Sequence, residues 1–413
     1  MRVLLAYSGG LDTSFLVAWL TREQGHQVTA TTVDCGGFSA EERVDIARRA
    51  IELGAVRHEF IDARRELFDS VLRWLVAGNV RRGGVYPLCV GAERSLSAEL
   101  LAGRAVEQGF DALAHGCTAA GNDQVRFEAA LAVVAPELQV LAPVRDLAPS
   151  REEQVEWLTS RDLEVPGKSG RYSVNAGLWG LTIGGGETLN SHEALPEEAW
   201  VWTRDGGGEA RMTLTFEAGL PVAIDGVECE PVELIETLNR IGGALGCGRG
   251  YHLGDTVLGI KGRIAFEAPA ATMLLDAHRE LEKLVLTEEQ RAWKDQLGEG
   301  YGRRLHQGLL HDPVMRDMEA FFGSSQAAVC GRAHLAVRGG TVLVEGVESP
   351  YSLLAASDAR YGERPSVHSN PAGAAYLGRI LAEPARLARR AAGARAVSPA
   401  RTLEVSSSGP ATP

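Results

Sequence analysis

The sequence contains no Cys-x-x-Cys pair, no long apolar run and no excess of positive charge. Its six cysteines, Cys35, Cys89, Cys117, Cys229, Cys247 and Cys330, are scattered through 413 residues. That scatter argues against a disulfide framework or a zinc site and predicts reduced thiols in a cytoplasmic protein. Nothing approaches the roughly 20 apolar residues of a membrane span, and the opening run Val3-Leu4-Leu5 is too short for a signal peptide. Lys and Arg number 42 against 54 Asp and Glu, a formal charge of −12. Such a balance disfavours a nucleic-acid binder that works by neutralising phosphates. The chain also lacks an internal repeat, a nucleophile elbow and a second phosphate motif.

What is present is a 45 % hydrophobic chain, long enough for two or three domains with sizeable cores. Short β-branched or apolar runs alternate with helical stretches through the first 150 or so residues. Strands are expected at Val3–Leu5, Val28–Val33, His58–Ile61, Ala112–His115 and Leu138–Ala142. Between them, helices are expected after Ser14, over Glu41–Leu53, from Ala63 towards Val76 and over Ala92–Gln108, with Ser150 capping a further helix to Leu158. The alternation predicts an α/β fold whose parallel sheet is covered on both faces, with ligands beyond the carboxyl ends of its strands. Tyr7 to Ser14, Val33 to Gly37 and His115 to Arg126 would then share one rim.

Beyond this domain, glycine becomes dense around Gly177 to Gly186, and Leu195–Met212 reads as an exposed connection. From Thr213 the pattern is α+β: hairpin signals at Asp225-Gly226 and Gly339-Gly340, and helices over Pro231–Ile241 and Thr272–Leu286. The predicted domains are 1–165, 166–383 and 384–413. The last is a basic helix (Arg386, Leu387, Arg389, Arg390, Arg395) followed by a Ser/Pro/Thr-rich stretch from Ser398 that is expected to be disordered. A solvated helix face explains the arginines as well as an arm that clasps a neighbouring subunit.

The stretch Ala6 to Ser14, AYSGGLDTS, joins the first strand to the first helix. Gly9 and Gly10 allow positive φ and leave no Cβ to hold an anion away. Backbone N–H groups there, with the N-terminal end of the following helix, form an anion site. Ser8, Thr13 and Ser14 add hydroxyls, and Asp12 can hold a magnesium ion through oxygen. The loop has no lysine, which excludes a Walker loop, and its adjacent glycines do not fit G-x-G-x-x-G. SGGLDTS resembles the PP-loop of the ATP pyrophosphatases, which cleave ATP between the α and β phosphates.

His115 to Glu128, HGCTAAGNDQVRFE, is polar and glycine-containing. Thr118 and Asn122 are suited to cap a helix from about Gly121, and Asp123 and Arg126 to pair on one side of it. Taken alone, capping and a surface ion pair explain this stretch as well as a binding loop does. Together the two motifs resemble the argininosuccinate synthase family, and the resemblance extends through most of the chain. Tyr86-Pro87-Leu88 with Arg94, Tyr172-Ser173 before Leu178-Trp179-Gly180, Gly259-Ile260-Lys261 with Arg263, and Ser349 to Leu353 support it.

The resemblance implies an adenine nucleotide α-hydrolase-like domain, an α+β synthetase domain and a C-terminal arm, assembled as a homotetramer. It implies a ligase that activates citrulline with ATP as citrullyl adenylate and joins it to aspartate, giving argininosuccinate, AMP and pyrophosphate in arginine biosynthesis. Magnesium would come with ATP, possession of a prosthetic group is not expected, and neither nucleic acid nor membrane is an expected partner. By matched position, Ala6, Tyr7, Ser8, Gly9, Gly10, Leu11, Asp12, Thr13, Ser14, Val33 and Gly116 would bind ATP. Thr118, Asn122 and Asp123 would hold aspartate, and Tyr86, Asn122, Arg126, Ser173 and Thr182 citrulline. Asp12, Asp123 and Arg126 are the candidate catalytic residues, while Cys117 reads as packing.

Several positions depart from the family pattern. Ala119-Ala120 replaces a glycine and a lysine, and Cys89-Val90-Gly91 replaces a hydroxyl-bearing stretch. Gly254 stands near the place of a glutamate, and Phe266 replaces a tyrosine. These losses leave two substrate readings open: citrulline in a rearranged pocket, with Asp255 in place of the glutamate, or a modified ureido compound such as an N-acylcitrulline. A tRNA thiolase is a third alternative, disfavoured by the acidic balance and the missing cysteine pair.

Overall fold

The computed structural model describes residues 1–167, 170–204, 207–366 and 370–392. Its first sheet is built around β1 (Arg2–Ala6), whose Val3, Leu4 and Leu5 are all 0 % exposed. β2 (Gln27–Asp34), β3 (Arg57–Asp62), β4 (Ala112–His115) and β5 (Gln139–Leu141) join it in the order β3-β2-β1-β4-β5, and every pairing is parallel. A central strand buried on both faces must be apolar throughout. Accordingly Val3 and Leu5 pack with Phe15, Leu16, Val28 and Ile46 on one side, and Leu4 with Ala98, Leu101, Leu113 and Phe127 on the other.

Strand order also locates a crevice. From β1 the chain proceeds outward to β2 and β3 and then crosses to β4 on the other side, so the loops after β1 and β4 diverge from adjacent strands. Ala6 stands beside His115 in the register, which brings both motif loops to the same edge.

The helices of this half agree with the sequence pattern at Leu11–Arg22, Ala40–Glu52, Glu93–Glu107 and Arg151–Thr159. Ser150 makes a capping box with Glu153. The helix expected from Ala63 differs: Arg64–Leu67 and Arg73–Ala77 flank a π-helical segment, Phe68–Leu72. Its wider turn keeps Phe68, Val71 and Leu72 all in the core.

The glycine-dense segment is built into a sheet. It forms β6 (Tyr172–Gly177) and β7 (Gly180–Gly185). Gly180 has φ +140°, and a Cβ there would lie 2.6 Å from the Glu267 carbonyl oxygen and 2.7 Å from Cys89 Sγ. Glycine thus marks a close approach of backbones, which composition alone cannot distinguish from a loop. The Leu195–Met212 connection is exposed only in part: among its described residues Glu197, Glu198, Val201, Arg204 and Gly207 to Glu209 face solvent, while other positions are anchored in the core. Trp200 and Thr203 are buried, and the N–H groups of Val201, Trp202 and Thr203 all donate to the buried Glu267 carboxylate.

The second half continues with β8 (Glu209–Glu217), β9 (Leu220–Ile224), β10 (Val227–Glu228), β11 (Arg249–Asp255), β12 (Lys261–Glu267), β13 (Gly331–Arg338) and β14 (Thr341–Glu348). They form two antiparallel sheets, β10-β9-β8-β13-β14 and β11-β12-β7-β6. Helices span Pro231–Ala244 and Pro269–Val285 as expected to within a few residues. Two more, Glu288–His306 and Pro313–Gln326, were not anticipated; Thr287 with Gln290 and Asp312 before Pro313 are their starting signals.

Contacts divide the chain into Met1–Ser352 and Leu353–Pro413. The second unit carries helices Pro371–Leu381 and Glu383–Ala391. Arg395 and the stretch from Ser398 lie outside the described residues. All six cysteines are free. Among the described residues no helix is long and apolar enough to cross a membrane.

Candidate active site

The loop after β1 holds itself open through short polar contacts. Ser8 Oγ lies 3.2 Å from Thr13 Oγ1, the Ser8 N–H donates to Thr13 Oγ1 at 3.3 Å, and the Gly10 N–H to Ser8 Oγ at 3.4 Å. Gly9 has φ +74°, a conformation that favours glycine, and its carbonyl accepts from Arg49 Nη1 at 2.9 Å. Ser8 and Gly10 are exposed at the helix start, whereas Leu11, Thr13 and Ser14 are buried. Tyr7 also points inward, its hydroxyl 3.3 Å from Ser14 Oγ, so it offers a ligand only its backbone. Asp12 stays partly open, and its Oδ1 accepts from Gln154 Nε2 at 2.9 Å. Arg49 and Gln154, both remote in sequence, were not candidates; nothing in their local sequence signals the role.

Gly116, after β4, closes against this loop: a Cβ there would meet Thr13 Cγ2 at 2.9 Å and the Thr13 nitrogen at 3.3 Å. Ala6 ends β1, and Val33, one residue before the end of β2, stands at the same edge. Beyond β2, the Cys35 carbonyl accepts from the Leu178 N–H at 2.7 Å, joining this rim to the turn between β6 and β7.

In the second motif the helix is Asp123–Val134. Asp123 Oδ1 accepts from Arg126 Nη1 at 2.7 Å and Oδ2 from Arg94 Nε at 3.1 Å. Crowding alone would raise the Asp123 carboxyl, but the two guanidinium groups outweigh it and hold it below the usual range. The capping expectation fails. Asn122 makes no side-chain cap; its Oδ1 instead accepts from the Val257 N–H at 2.8 Å. Thr118 is exposed on the loop before it. Cys117 is partly buried, and burial pushes its thiol up to about 12, leaving no thiolate to act as a nucleophile.

The other wall is one face of the β11-β12-β7-β6 sheet. Asn175 pairs with Thr182, Thr182 with Phe266 and Phe266 with Gly250, so these four stand in one row. Ser173 lies two residues from Asn175 on the same face, and His252 two residues from Gly250. Arg94 Nη2 reaches Asn175 Oδ1 at 3.5 Å, while Tyr86 receives Phe266 at 5.2 Å and His252, stacked, at 5.3 Å between ring centroids. Ser173 and Thr182 therefore belong to the wall that faces Arg94 and Tyr86. The Tyr86 hydroxyl is buried and donates to the Cys89 carbonyl at 3.4 Å.

Asp255 does not take the place of an acid in this wall. It alternates to the other side of β11 from His252, and its carboxylate pairs with Lys261 Nζ at 2.5 Å in an exposed position. The side chain that approaches Arg126 is His306, at the end of the Glu288–His306 helix and missed in the sequence. Its Nδ1 accepts from Arg126 Nη2 at 3.0 Å and Arg82 Nη1 at 3.3 Å, and its carbonyl from Arg126 Nε at 2.8 Å. Burial, then the two guanidinium groups, lower the imidazole to about 3. Gly91 packs behind the same guanidinium, where a Cβ would be 3.4 Å from Arg126 Nη2.

The loop after β1, a carboxylate held by two arginines and an aromatic wall thus converge at the crevice. The description "Arginosuccinate synthase N-terminal HUP domain" matches residues 2–164, and "Arginosuccinate synthase C-terminal domain" matches residues 172–377. The argininosuccinate synthase of Methanocaldococcus jannaschii is 38 % identical over 365 residues, 87 % of this chain and 92 % of its own length. That of Xanthomonas campestris pv. campestris is 39 % identical over 369 residues, again 87 % and 92 % of the two chains. The Dictyoglomus thermophilum enzyme is 37 % identical over 355 residues, 85 % and 89 %. With both domains matched in order and the relatives covered nearly end to end, the chain belongs to the argininosuccinate synthase family.

Proposed function

We propose that the chain joins citrulline to aspartate at the expense of ATP, releasing AMP and pyrophosphate, and so makes argininosuccinate for arginine biosynthesis. The observation that carries this is the meeting of the two motif loops where strand order reverses, with Ala6 beside His115 and Gly116 against Thr13. A triphosphate at the Ser8–Gly10 loop accepts from backbone N–H groups and lies along the positive end of the Leu11–Arg22 helix.

Ala6, Val33 and Gly116 line the nucleotide's edge of the sheet. Asp12, a partly open carboxylate at the start of the Leu11–Arg22 helix, suits a hard cation, and magnesium carried on the triphosphate would find its oxygen there. That ion would neutralise phosphate charge as pyrophosphate leaves.

Aspartate is assigned to Thr118, Asn122 and Asp123, the Asp123 carboxylate facing its ammonium. Citrulline is assigned to the wall of Tyr86, Ser173 and Thr182 with Asn122, its carboxylate taken by the guanidinium of Arg126. Two hydrogens of Arg126, one on each Nη, remain for that purpose once Asp123 and His306 are served. Holding three guests in line is the main catalytic device, because orientation turns two bimolecular encounters into steps within one complex.

The working form is assigned as a homotetramer in the cytoplasm. The Pro371–Leu381 helix supports assembly, for Tyr376, Leu377, Ile380 and Leu381 are each more than half exposed.

Purified protein with Mg-ATP, citrulline and aspartate should yield AMP, pyrophosphate and argininosuccinate by mass spectrometry, and omission of any one substrate should abolish argininosuccinate. Formation of AMP with an N-acylcitrulline and none with citrulline would overturn the substrate assignment.

A further inference from the structure

One acid at the crevice has an unused oxygen. Glu93, the first residue of the Glu93–Glu107 helix, is 2 % exposed, and its Oε1 is buried without a hydrogen-bond partner. An unsatisfied buried carboxyl is costly and calls for a reason. Its place is informative. The carboxyl lies against Gly177, where a Cβ would fall 1.7 Å from Oε1 and 2.7 Å from Oε2. Gly177 ends the strand that carries Ser173 and Asn175, and the residue after Glu93 is Arg94, which holds Asp123. Glu93 therefore lies against the strand that carries the wall assigned to citrulline and is next in the chain to the arginine that holds the carboxylate assigned to aspartate. The charged and titratable groups facing it are Arg94 on its own helix, Asp34 and Cys35 at the end of β2, Asp123 on the next helix, and Tyr86 and Cys89 in the preceding loop. Burial raises its carboxyl to about 8; Arg94 opposes the rise, and Asp123 and Asp34 add to it.

We infer that Glu93 is the proton acceptor for the amine of aspartate in the second half of the reaction, an assignment that rests on the proposed function. Aspartate arrives as an ammonium and cannot attack until it loses a proton. The Glu93 carboxylate takes that proton. The freed lone pair forms the C–N bond to the ureido carbon of citrullyl adenylate, and the C–O bond breaks with its electron pair leaving on the phosphate of AMP. The second proton that the nitrogen sheds on collapse passes to water. A base that titrates near the operating pH is matched to this task. The first half needs no such group, since the ureido oxygen attacks phosphorus without giving up a proton.

Glu93→Gln keeps the size of the side chain and removes only the basic oxygen. Two rates are compared across pH: citrulline-dependent exchange of labelled pyrophosphate into ATP without aspartate, which reads the first half alone, and argininosuccinate formation. The variant should exchange like the parent while transfer falls by ~100-fold, the lower range of general base catalysis. The limb of the parent's transfer rate that rises towards pH 8 should also be lost. Unchanged transfer, or exchange and transfer falling together, overturns the assignment, the latter assigning Glu93 a packing role. A parent chain that shows no citrulline-dependent exchange overturns the proposed function itself, and this inference with it.

Discussion

His306 holds Arg126 with two different groups at once: its carbonyl accepts from Nε at 2.8 Å and its Nδ1 from Nη2 at 3.0 Å. A guanidinium can only donate, so Nδ1 must be bare and the ring proton must sit on Nε2. The imidazole is a fixed neutral acceptor that aims the fork of Arg126.

Replacing that acceptor has two expected consequences. His306→Ala should raise the citrulline KM about tenfold, the effect of one lost charge-assisted hydrogen bond, and leave the ATP KM unchanged in steady-state assays. Stability should also respond to pH. The imidazole falls from 6.5 in the unfolded chain to about 3 in the fold, so its contribution is complete above pH 6.5 and is lost as pH drops from there towards 3. Urea unfolding at pH 7.5 and pH 5 should show the parent losing up to ~1.4 kcal/mol per pH unit more than His306→Gln. Equal losses in the two proteins would refute the tautomer.

Gly9 is the position in the loop after β1 that tolerates a side chain least. With φ +74° and a would-be Cβ 2.7 Å from Ile46 Cγ1, alanine is strained twice. Gly9→Ala should destabilise the fold by about 1–3 kcal/mol and weaken ATP more than citrulline or aspartate, as thermal melting and the three KM values would reveal.

Asp255 is paired with Lys261 on the far side of its strand. Asp255→Asn should therefore leave the citrulline KM within a factor of about two, the scale of an exposed ion pair. A large rise would put the carboxylate in the pocket after all.

Tyr376, Leu377, Ile380 and Leu381 stand exposed along the Pro371–Leu381 helix. A chain lacking residues 371–413 should contain fewer subunits per particle by light scattering than the full chain. An unchanged number of subunits would remove the arm from the interface.

Several features were legible in the sequence because they are local. Val3-Leu4-Leu5 marks a buried strand, adjacent glycines mark the turn between that strand and the first helix, and Ser150 marks a helix start. Asp123 and Arg126, three apart on one helix, meet as their spacing requires. One feature was misread for an equally physical reason. Asn122 has the chemistry of a cap, but an amide N–H from Val257, 135 positions away, takes its oxygen. Gly177 and Gly180 pointed to no element in the sequence, and stand within strands because contact with Cys89, Glu93 and Glu267 leaves no room for a Cβ.

The sequence by itself determined the class of the first domain and the family, since each is written in contiguous residues whose periodicity and turn chemistry act at short range. Only the tertiary structure decided the surroundings of the reacting groups. His306 on Arg126, Gln154 on Asp12 and Gly177 against Glu93 join residues 180, 142 and 84 positions apart. Their pairing depends on how two sheets and several helices pack, and the protonation of Glu93 and His306 depends on the burial that packing creates.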